Sequence, residues 1–344
     1  AELSFEGTKI IIDWYAKEQL KPDYFYIVPR TTNYIQGTYE YDTLIGTDEN
    51  DRIEGNPSLQ LRHGFGTDVD ILEGGRGDDL LIGGKADPGC CGYTLDTYRF
   101  KENFGHDTIL HFFALDIMQA LKGNSYSYTK DGGAIWSDRI EIPLSMADSA
   151  MQIINNAENN EDGWVKLNIG SNSILLHGVT KEQLKPDYFH IIPDIDSYVI
   201  GKYGEQDNLQ GDENNNFIMG SEIPLFYGAG LSDNDVLEGG SGDDVLIGGA
   251  NRSASGADAE DVYVFSNGSG NDIIIGFYFG DTYHDLIRIK ADINGSGIND
   301  FNSIIENTSQ NDDGWAVINL GSSNSITLHG TTKSQLLENN FQFF

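Results

Sequence analysis

The pattern of hydrophobic and polar residues changes in the same way at two places along the chain. In two stretches, three-residue apolar segments such as Leu80–Ile82 alternate with turns rich in Gly, Asp and Asn. Each stretch is followed by longer segments in which apolar and polar residues alternate, at 164–169 and 315–320. These patterns predict short strands between tight turns, followed by half-buried strands. Helical periodicity is limited to about 147–156, a weaker match at 300–306 and a short helix near 181–185.

The residues themselves also recur in the same order. The segment LEGGRGDD at 72–79 returns as LEGGSGDD at 237–244, an offset of 165 residues. The sequence DGW at 162–164 returns at 313–315, and KEQL at 181–184 returns as KSQL at 333–336. Repeats that return in the same order indicate tandem copies of one structural unit. We therefore expect one module at 31–193 and a second at 194–344.

The first 30 residues match the end of a module. The segment KEQLKPDYF at 17–25 is identical to 181–189, so 1–30 is predicted to be a partial module tail with a cap strand and a short helix. Two explanations stay open, a fragment of a longer array and a native start after removal of an initiator Met. The second would leave apolar strand material at 10–12 short of partners.

Composition narrows the classes of partner. The chain has 54 Asp and Glu against 21 Lys and Arg, a formal charge of -33, which disfavours nucleic acid and anionic membrane surfaces and favours cations. No stretch is long and apolar enough to cross a membrane, and the N-terminus lacks the pattern of a cleaved signal peptide. Cys90 and Cys91 are adjacent, so they predict neither a disulfide framework nor a zinc site. Whether they pair together, pair between chains or stay free is left open.

One motif carries the chemistry. Residues 74–82 and 239–247 fit the nonapeptide G-G-x-G-x-D-x-U-x, and here the chain resembles the RTX calcium-binding family. The glycines permit a tight turn with inward carbonyls, the Asp supplies a hard carboxylate and the apolar residue enters a strand. The resemblance implies an all-β fold of two tandem parallel β-roll modules, each followed by a capping β region with a short helix. It also implies several Ca²⁺ ions per module.

A calcium ion takes about six to eight oxygen ligands, so neighbouring turns must stack to supply them. Acidic residues at steps of roughly nine residues continue the motif on both sides. Ordinary solvated turns would not explain that step. Same-side partners are expected about 18 residues apart, as in Asp51 with Asp70, Asp70 with Asp87, and Asp79 with Asp96. The predicted calcium-binding residues are Asp42, Asp51, Asp70, Gly74, Arg76, Gly77, Asp79, Asp87, Asp96 and Asp107 in the first module, and Asp207, Asn216, Asp235, Gly239, Ser241, Gly242, Asp244, Asp261 and Asp272 in the second.

Other residues give weaker indications. The equivalent His177 and His329 are expected to be structural, and Trp164 and Trp315 to pack in the core. An insertion at about 118–136, with aromatic residues at 126, 128 and 136, is either a partner surface or a loop folded onto its own module.

The predicted function follows from the motif and from what is missing. The chain contains no His-Glu-x-x-His, no Gly-x-Ser-x-Gly and no phosphate-binding glycine loop, which predicts a protein that is not an enzyme. The resemblance implies a bacterial protein that is extracellular or on the cell surface, exported by type I secretion and folded by calcium. We expect a structural protein that self-associates into a layer, matrix or filament. The alternatives are a polysaccharide-binding array and the C-terminal export and stability portion of a larger enzyme, adhesin or toxin.

Overall fold

The computed structural model describes residues 29–38, 41–55, 70–84, 96–112, 137–202, 204–220, 234–249, 260–279 and 284–344. It also describes the backbone of a two-stranded antiparallel sheet of β1 (Glu2–Phe5) and β2 (Thr8–Ile11). Asp87, Cys90, Cys91, the segment 17–25 and the predicted insertion at 118–136 lie outside the described residues.

Between residues 33 and 192, the chain forms two sheets. The seven-stranded sheet contains, in spatial order, β11 (Glu158–Asn159), β12 (Val165–Ile169), β13 (Asn172–Leu176), β9 (His106–Leu110), β7 (Leu80–Ile82), β5 (Asp51–Glu54) and β3 (Asn33–Gln36). The five-stranded sheet contains β14 (Phe189–Ile192), β10 (Arg139–Pro143), β8 (Thr97–Arg99), β6 (Ile71–Glu73) and β4 (Thr43–Ile45).

Residues 197–343 repeat this arrangement. The second seven-stranded sheet contains β15 (Ser197–Ile200), β17 (Asn216–Met219), β19 (Val245–Ile247), β21 (Asn271–Ile274), β25 (Asn324–Leu328), β24 (Ala316–Gly321) and β23 (Thr308–Gln310). The second five-stranded sheet contains β16 (Asn208–Gln210), β18 (Val236–Glu238), β20 (Val262–Phe265), β22 (Leu286–Ile289) and β26 (Phe341–Phe343). The exact module boundaries remain a prediction.

In the front half of each module, the strands coil. Successive strands alternate between the two sheets and pair in parallel with the strand two places later, as β5 pairs with β7 and β6 with β8. Inward apolar side chains from both sheets meet in one core, with Ile53, Leu72 and Leu81 fully buried in the first module. The predicted all-β fold of tandem parallel β-rolls is confirmed.

The rear half of each module caps the coil. An antiparallel hairpin, β12 with β13 or β24 with β25, joins the seven-stranded sheet by a parallel pairing to β9 or β21. The two predicted helices are present as α1 (Ala150–Asn156) and α2 (Phe301–Glu306), and short 3-10 turns lie at Lys181–Gln183, Pro186–Tyr188, Ile293–Gly295, Lys333–Gln335 and Glu338–Asn340. Each α-helix begins at a side-chain cap, Ser149 or Asp300. No helix in the described ranges is long and apolar enough to cross a membrane.

The second module packs on the outer side of the first five-stranded sheet. The Tyr198 ring lies 5.3 Å from Arg99 Cζ, and His329 Nε2 donates to the Phe189 carbonyl at 3.0 Å. The Asp313 carboxylate accepts hydrogen bonds from two backbone N–H groups in the first turn of α1, at 3.2 and 2.7 Å. Ile192 joins an apolar cluster on the outer side of the second seven-stranded sheet. Outer sheet faces of the two modules are therefore in contact.

Candidate calcium sites

A ladder of carboxylates follows the seven-stranded side of each roll. The backbone N–H of Asp51 donates to Oδ1 of Asp79 at 2.7 Å, and that of Asp79 donates to Oδ1 of Asp107 at 2.8 Å. In the second module, Asn216 donates to Asp244 at 2.7 Å, and Asp244 to Asp272 at 2.9 Å. Each Asp lies at the start of its strand, either immediately before it or within its first two residues. Parallel pairing of these strands therefore places each Asp over the next.

A second ladder follows the five-stranded side. It connects Asp42, Asp70, Asp96 and Asp138 in the first module through backbone N–H to Oδ1 bonds of 2.9 to 3.0 Å. Asp207, Asp235, Asp261 and Asp285 form its equivalent at 2.8 to 3.1 Å. Sequence reasoning missed Asp138 and Asp285, which are both buried. Each comes just before an apolar-x-apolar strand, and that signal could have identified them.

The predicted same-side pairs were wrong. Asp51 lies over Asp79 instead of Asp70, and Asp70 lies over Asp96 instead of Asp87. Asp79 lies over Asp107 instead of Asp96. The spacing is 28 or 26 residues in these pairs, because one coil is longer than two nonapeptides. The prediction that stacked turns bring the carboxylates together is kept, with corrected partners.

Four carboxylate oxygens in the seven-stranded ladders are buried without a hydrogen-bond partner. They are Oδ2 of Asp79, Asp107, Asp244 and Asp272. Within the described ranges, no Lys, Arg or His forms an ion pair with these four residues. A buried carboxylate with an unsatisfied oxygen is costly unless a cation binds it.

Glycines bring further oxygens close to these carboxylates. A Cβ atom on Gly74 would overlap Oδ2 of Asp79, and one on Gly239 would overlap Oδ2 of Asp244. A Cβ atom on Gly46 would overlap the carbonyl oxygen of Gly74 in the next coil. Only glycine permits this approach, so the turns form a narrow space lined by carboxylate and carbonyl oxygens.

The electrostatics of the ladders favour a cation. Burial raises the pKa of Asp79 to about 7 and that of Asp107 to about 9, with the neighbouring Asp78 adding to both. Burial also raises the pKa of Asp244 to about 6 and that of Asp272 to about 8. Without a cation, these groups resist ionisation because their charges are desolvated and close together.

The donor set fits calcium. Among the described residues, no group of three or more His, Cys, Asp or Glu side chains is placed to hold one metal ion. A cation here would therefore combine carboxylates of stacked turns with backbone carbonyls, which are the hard oxygen ligands that Ca²⁺ prefers. A zinc-type cage of His and Cys is not present in these ranges.

The remaining predicted residues lie at the turns. The Arg76 side chain points outward, 63% exposed, so only its backbone belongs to the turn. Gly77 and Gly242 have φ values of 125° and 120°, which a residue with a side chain rarely adopts. Ser241 donates its N–H to the Asp212 carbonyl at 2.9 Å, and Asp42 and Asp207 are partly buried at the start of the five-stranded ladders.

The two repeated Trp-His pairs serve packing. The Trp315 ring packs against His329 with centroids 4.0 Å apart, and Trp164 packs against His177 at 3.7 Å, both pairs tilted. Trp315 and His329 are buried, and burial lowers the pKa of His329 to about 4. The imidazole is therefore neutral at physiological pH and acts as a hydrogen-bond donor to Phe189 between the modules.

A match to a family of known repeats agrees with this geometry. The sequence model of the RTX calcium-binding nonapeptide repeat matches residues 31–57, 66–87 and 229–252. No curated protein matches the chain. Among solved structures, the chain is similar to the extracellular lipase LipA from Serratia marcescens, with 18% identity over 90% of this chain and 42% of the lipase chain. The TM-score of 0.24 is too low to support any conclusion about activity.

Proposed function

We propose, from the premise that this chain carries RTX calcium-binding nonapeptide repeats, that calcium binding converts it from an open chain into two rigid β-rolls outside the bacterial cell. Such repeats bind calcium and are typical of secreted bacterial proteins. Export by type I secretion, without an N-terminal signal, is part of the proposal.

The observation that carries the proposal is the set of buried, unpartnered carboxylate oxygens at Asp79, Asp107, Asp244 and Asp272. In the absence of cations, these charges and the entropy of many turns oppose folding. A ligand that binds only the folded state stabilises it by RT ln(1 + [L]/Kd), about 2.7 kcal/mol per site at a hundredfold excess over Kd. Several such sites would dominate the stability of each roll.

The residues proposed to bind calcium include these four Asp, the five-stranded ladders and the carbonyls of the nonapeptide turns. Calcium would supply the charge that neutralises the ladders. The chain's own residues hold the turns open by glycine geometry and stack the carboxylates by parallel pairing.

The test is a calcium titration of chelator-treated protein, followed by far-UV circular dichroism. We expect β signal to appear with calcium and the double variant Asp79→Asn with Asp244→Asn to need roughly tenfold more calcium. Asp162→Asn, which removes the same charge from an exposed turn, should leave the midpoint unchanged. A titration without any gain in β signal would refute calcium-driven folding.

We also propose that folded chains associate through the outer face of the second five-stranded sheet. In the first module, the outward row Glu73, Arg99, Glu141 and His190 is mostly buried where the second module packs on it. The equivalent row Glu238, Val264, Arg288 and Gln342 is partly or fully exposed. The Phe344 ring, 5.4 Å from Arg288 Cζ, is 50% exposed. Among the described residues, an outer face that is covered in the first module is more exposed in the second, which supports a second copy as its partner.

Multi-angle light scattering at rising calcium would test this association. We expect the particle mass to grow as the β signal appears, and Arg288→Glu with Phe344→Ser to prevent growth without loss of β signal. Lys202→Glu, an exposed charge reversal elsewhere in the second module, is the matched control. A folded protein that stays monomeric would exclude self-association and favour polysaccharide binding or a role as the export and stability portion of a larger protein.

A further inference from the structure

We propose that the first turn on the seven-stranded side of each module is closed by its own side chains and holds no calcium. These outer turns are residues 46–51 in the first module and 211–216 in the second. The corresponding inner turns, 74–79 and 239–244, are the first that require the ion. The proposal rests on the calcium-dependent folding proposed above and specifies where along the ladder that dependence begins.

In the first module, Asp51 at the end of the outer turn has both carboxylate oxygens occupied. The Asn33 amide donates to Oδ1 at 2.7 Å from the neighbouring strand. Thr47 donates to Oδ2 twice, from its backbone N–H at 2.6 Å and from its hydroxyl at 2.9 Å. Three donors around one carboxylate satisfy its charge locally, as a cation does in other turns.

In the second module, the same three positions are in contact, with the side-chain donors and acceptors exchanged and the backbone N–H bond kept. Asn216 replaces the aspartate, and its amide donates to the Ser197 hydroxyl at 2.6 Å and to the Asp212 carboxylate at 3.1 Å. Its Oδ1 accepts the Asp212 N–H at 2.8 Å. Ser197, Asp212 and Asn216 thus stand where Asn33, Thr47 and Asp51 stand in the first module.

This exchange moves the carboxylate of the hydrogen-bonded set from the last residue of the turn to its second residue. An amide oxygen can also bind calcium, but Oδ1 of Asn216 carries no charge and already accepts the Asp212 N–H. Closing the turn by hydrogen bonds requires only that donors face acceptors at these three positions, and this is so in both modules. The hydrogen-bonded turn is therefore kept in both modules, although the charged residue in it changes position. This favours a turn closed by hydrogen bonds over a turn that binds an ion.

The inner turns lack such closure. At the position of Thr47 or Asp212, they carry Gly75 or Gly240, which have no side chain. Oδ2 of Asp79 and Oδ2 of Asp244 are buried without a hydrogen-bond partner. The glycine therefore leaves the inner carboxylate for the ion, whereas the side chain at this position completes the outer turn.

The experiment is calcium stoichiometry of the full chain, by isothermal titration calorimetry with equilibrium dialysis as a second measurement. We expect Asp51→Asn to retain the full number of bound ions, whereas Asp79→Asn should lose at least one. The triple variant Asn33→Ser, Thr47→Asp, Asp51→Asn, which transfers the set of the second module into the first, should retain both the stoichiometry and the calcium midpoint within about twofold.

Loss of an ion in Asp51→Asn and in the triple variant would overturn the inference while leaving calcium-driven folding intact. If the unchanged chain bound no calcium, the proposed function itself would fail. Should Asp51→Asn fold poorly, the triple variant decides, because its hydrogen bonds are restored. Asp48→Asn, an exposed charge removal within the same turn, is the control for a nonspecific change in electrostatics.

Discussion

The two modules agree in what faces inward and differ in what faces outward. The inward ladders keep an Asp at nearly every rung, and the core residues Leu72 and Leu237 are both fully buried. The outward rows of the five-stranded sheets differ at most positions, with Arg99 and Glu141 in the first module against Val264 and Arg288 in the second. One row lies under a neighbouring module, and the other is more exposed among the described residues.

This difference separates two sources of constraint on a repeat. Inward residues must satisfy the coil itself, which is the same in both copies. Outward residues must suit whatever covers them, and that differs between the copies. Removing calcium tests the inward residues of both modules. Changing outward residues in one module at a time tests the difference between them.

The largest effect is expected from pH in the presence of chelator. The folded-state pKa values of about 6 to 9 for the four seven-stranded carboxyls lie above the ordinary value of 3.8. A raised carboxyl pKa contributes stability that is fully present below 3.8 and is lost as pH rises through the folded value. We therefore expect ion-free protein to hold more β structure at about pH 5 than at about pH 9.

Circular dichroism across this range, with and without calcium, measures the effect. Calcium should abolish the loss at high pH because it binds the ionised form. The Asp51 charge contributes to the raised pKa of Asp79, whereas the equivalent Asn216 is neutral. Asp51→Asn should therefore lower the pKa of Asp79, so that the ion-free first module loses less stability as pH rises. Ion-free protein that gains structure as pH rises would contradict the sign of this argument.

The next largest effect is expected on the stability of the first module when its outward row loses a charge. Arg99 Nε donates to Glu141 Oε2 at 2.8 Å, and Glu141 is buried. Burial lowers the pKa of Arg99, but the adjacent Glu141 raises it above its usual value. Arg99→Ala leaves that carboxylate buried without its cation, so we expect a loss of about 3 kcal/mol. The equivalent Val264→Ala should cost less than about 1 kcal/mol.

Chemical denaturation in saturating calcium would compare the two variants. The double variant Arg99→Met with Glu141→Met should recover much of the loss, because it removes both charges together. Equal costs for Arg99→Ala and Val264→Ala would show that the second module does not enclose the outward row of the first.

The sequence predicts the inward side of the molecule far better than the outward side. The nonapeptides at 74–82 and 239–247 identify Asp79 and Asp244 because turn geometry and ligand chemistry are local. The prediction of which carboxylates stack failed because pairing depends on how many residues a whole coil contains. Asp138 and Asp285 were missed since their spacings of 42 and 24 residues from the previous rung break the nine-residue step.

The outward rows could not be predicted for a different reason. Nothing near Arg99 or Val264 in the sequence indicates that Arg99 will lie under Tyr198 while Val264 is partly exposed. The contact joins residues about a hundred positions apart, and the repeat offset gives no orientation between modules. The reversed hydrogen bonds of the outer turns were likewise invisible, because Asn33 and Ser197 belong to neighbouring strands.

The smallest effect concerns the joint between the modules. Asp313 accepts hydrogen bonds from the N–H groups of Ala150 and Met151, so a residue of the second module caps α1 of the first. Asp313→Asn weakens this cap and its favourable interaction with the helix dipole, and should destabilise α1 by about 1 kcal/mol. Hydrogen exchange at 150–156 in calcium would show faster exchange there and no change in α2, which is capped by its own Asp300. Asp162→Asn, the equivalent change in the first module, should leave α1 unaffected. Unchanged exchange in Asp313→Asn would mean that the modules fold independently, and that the outward row of the first module is enclosed without this contact.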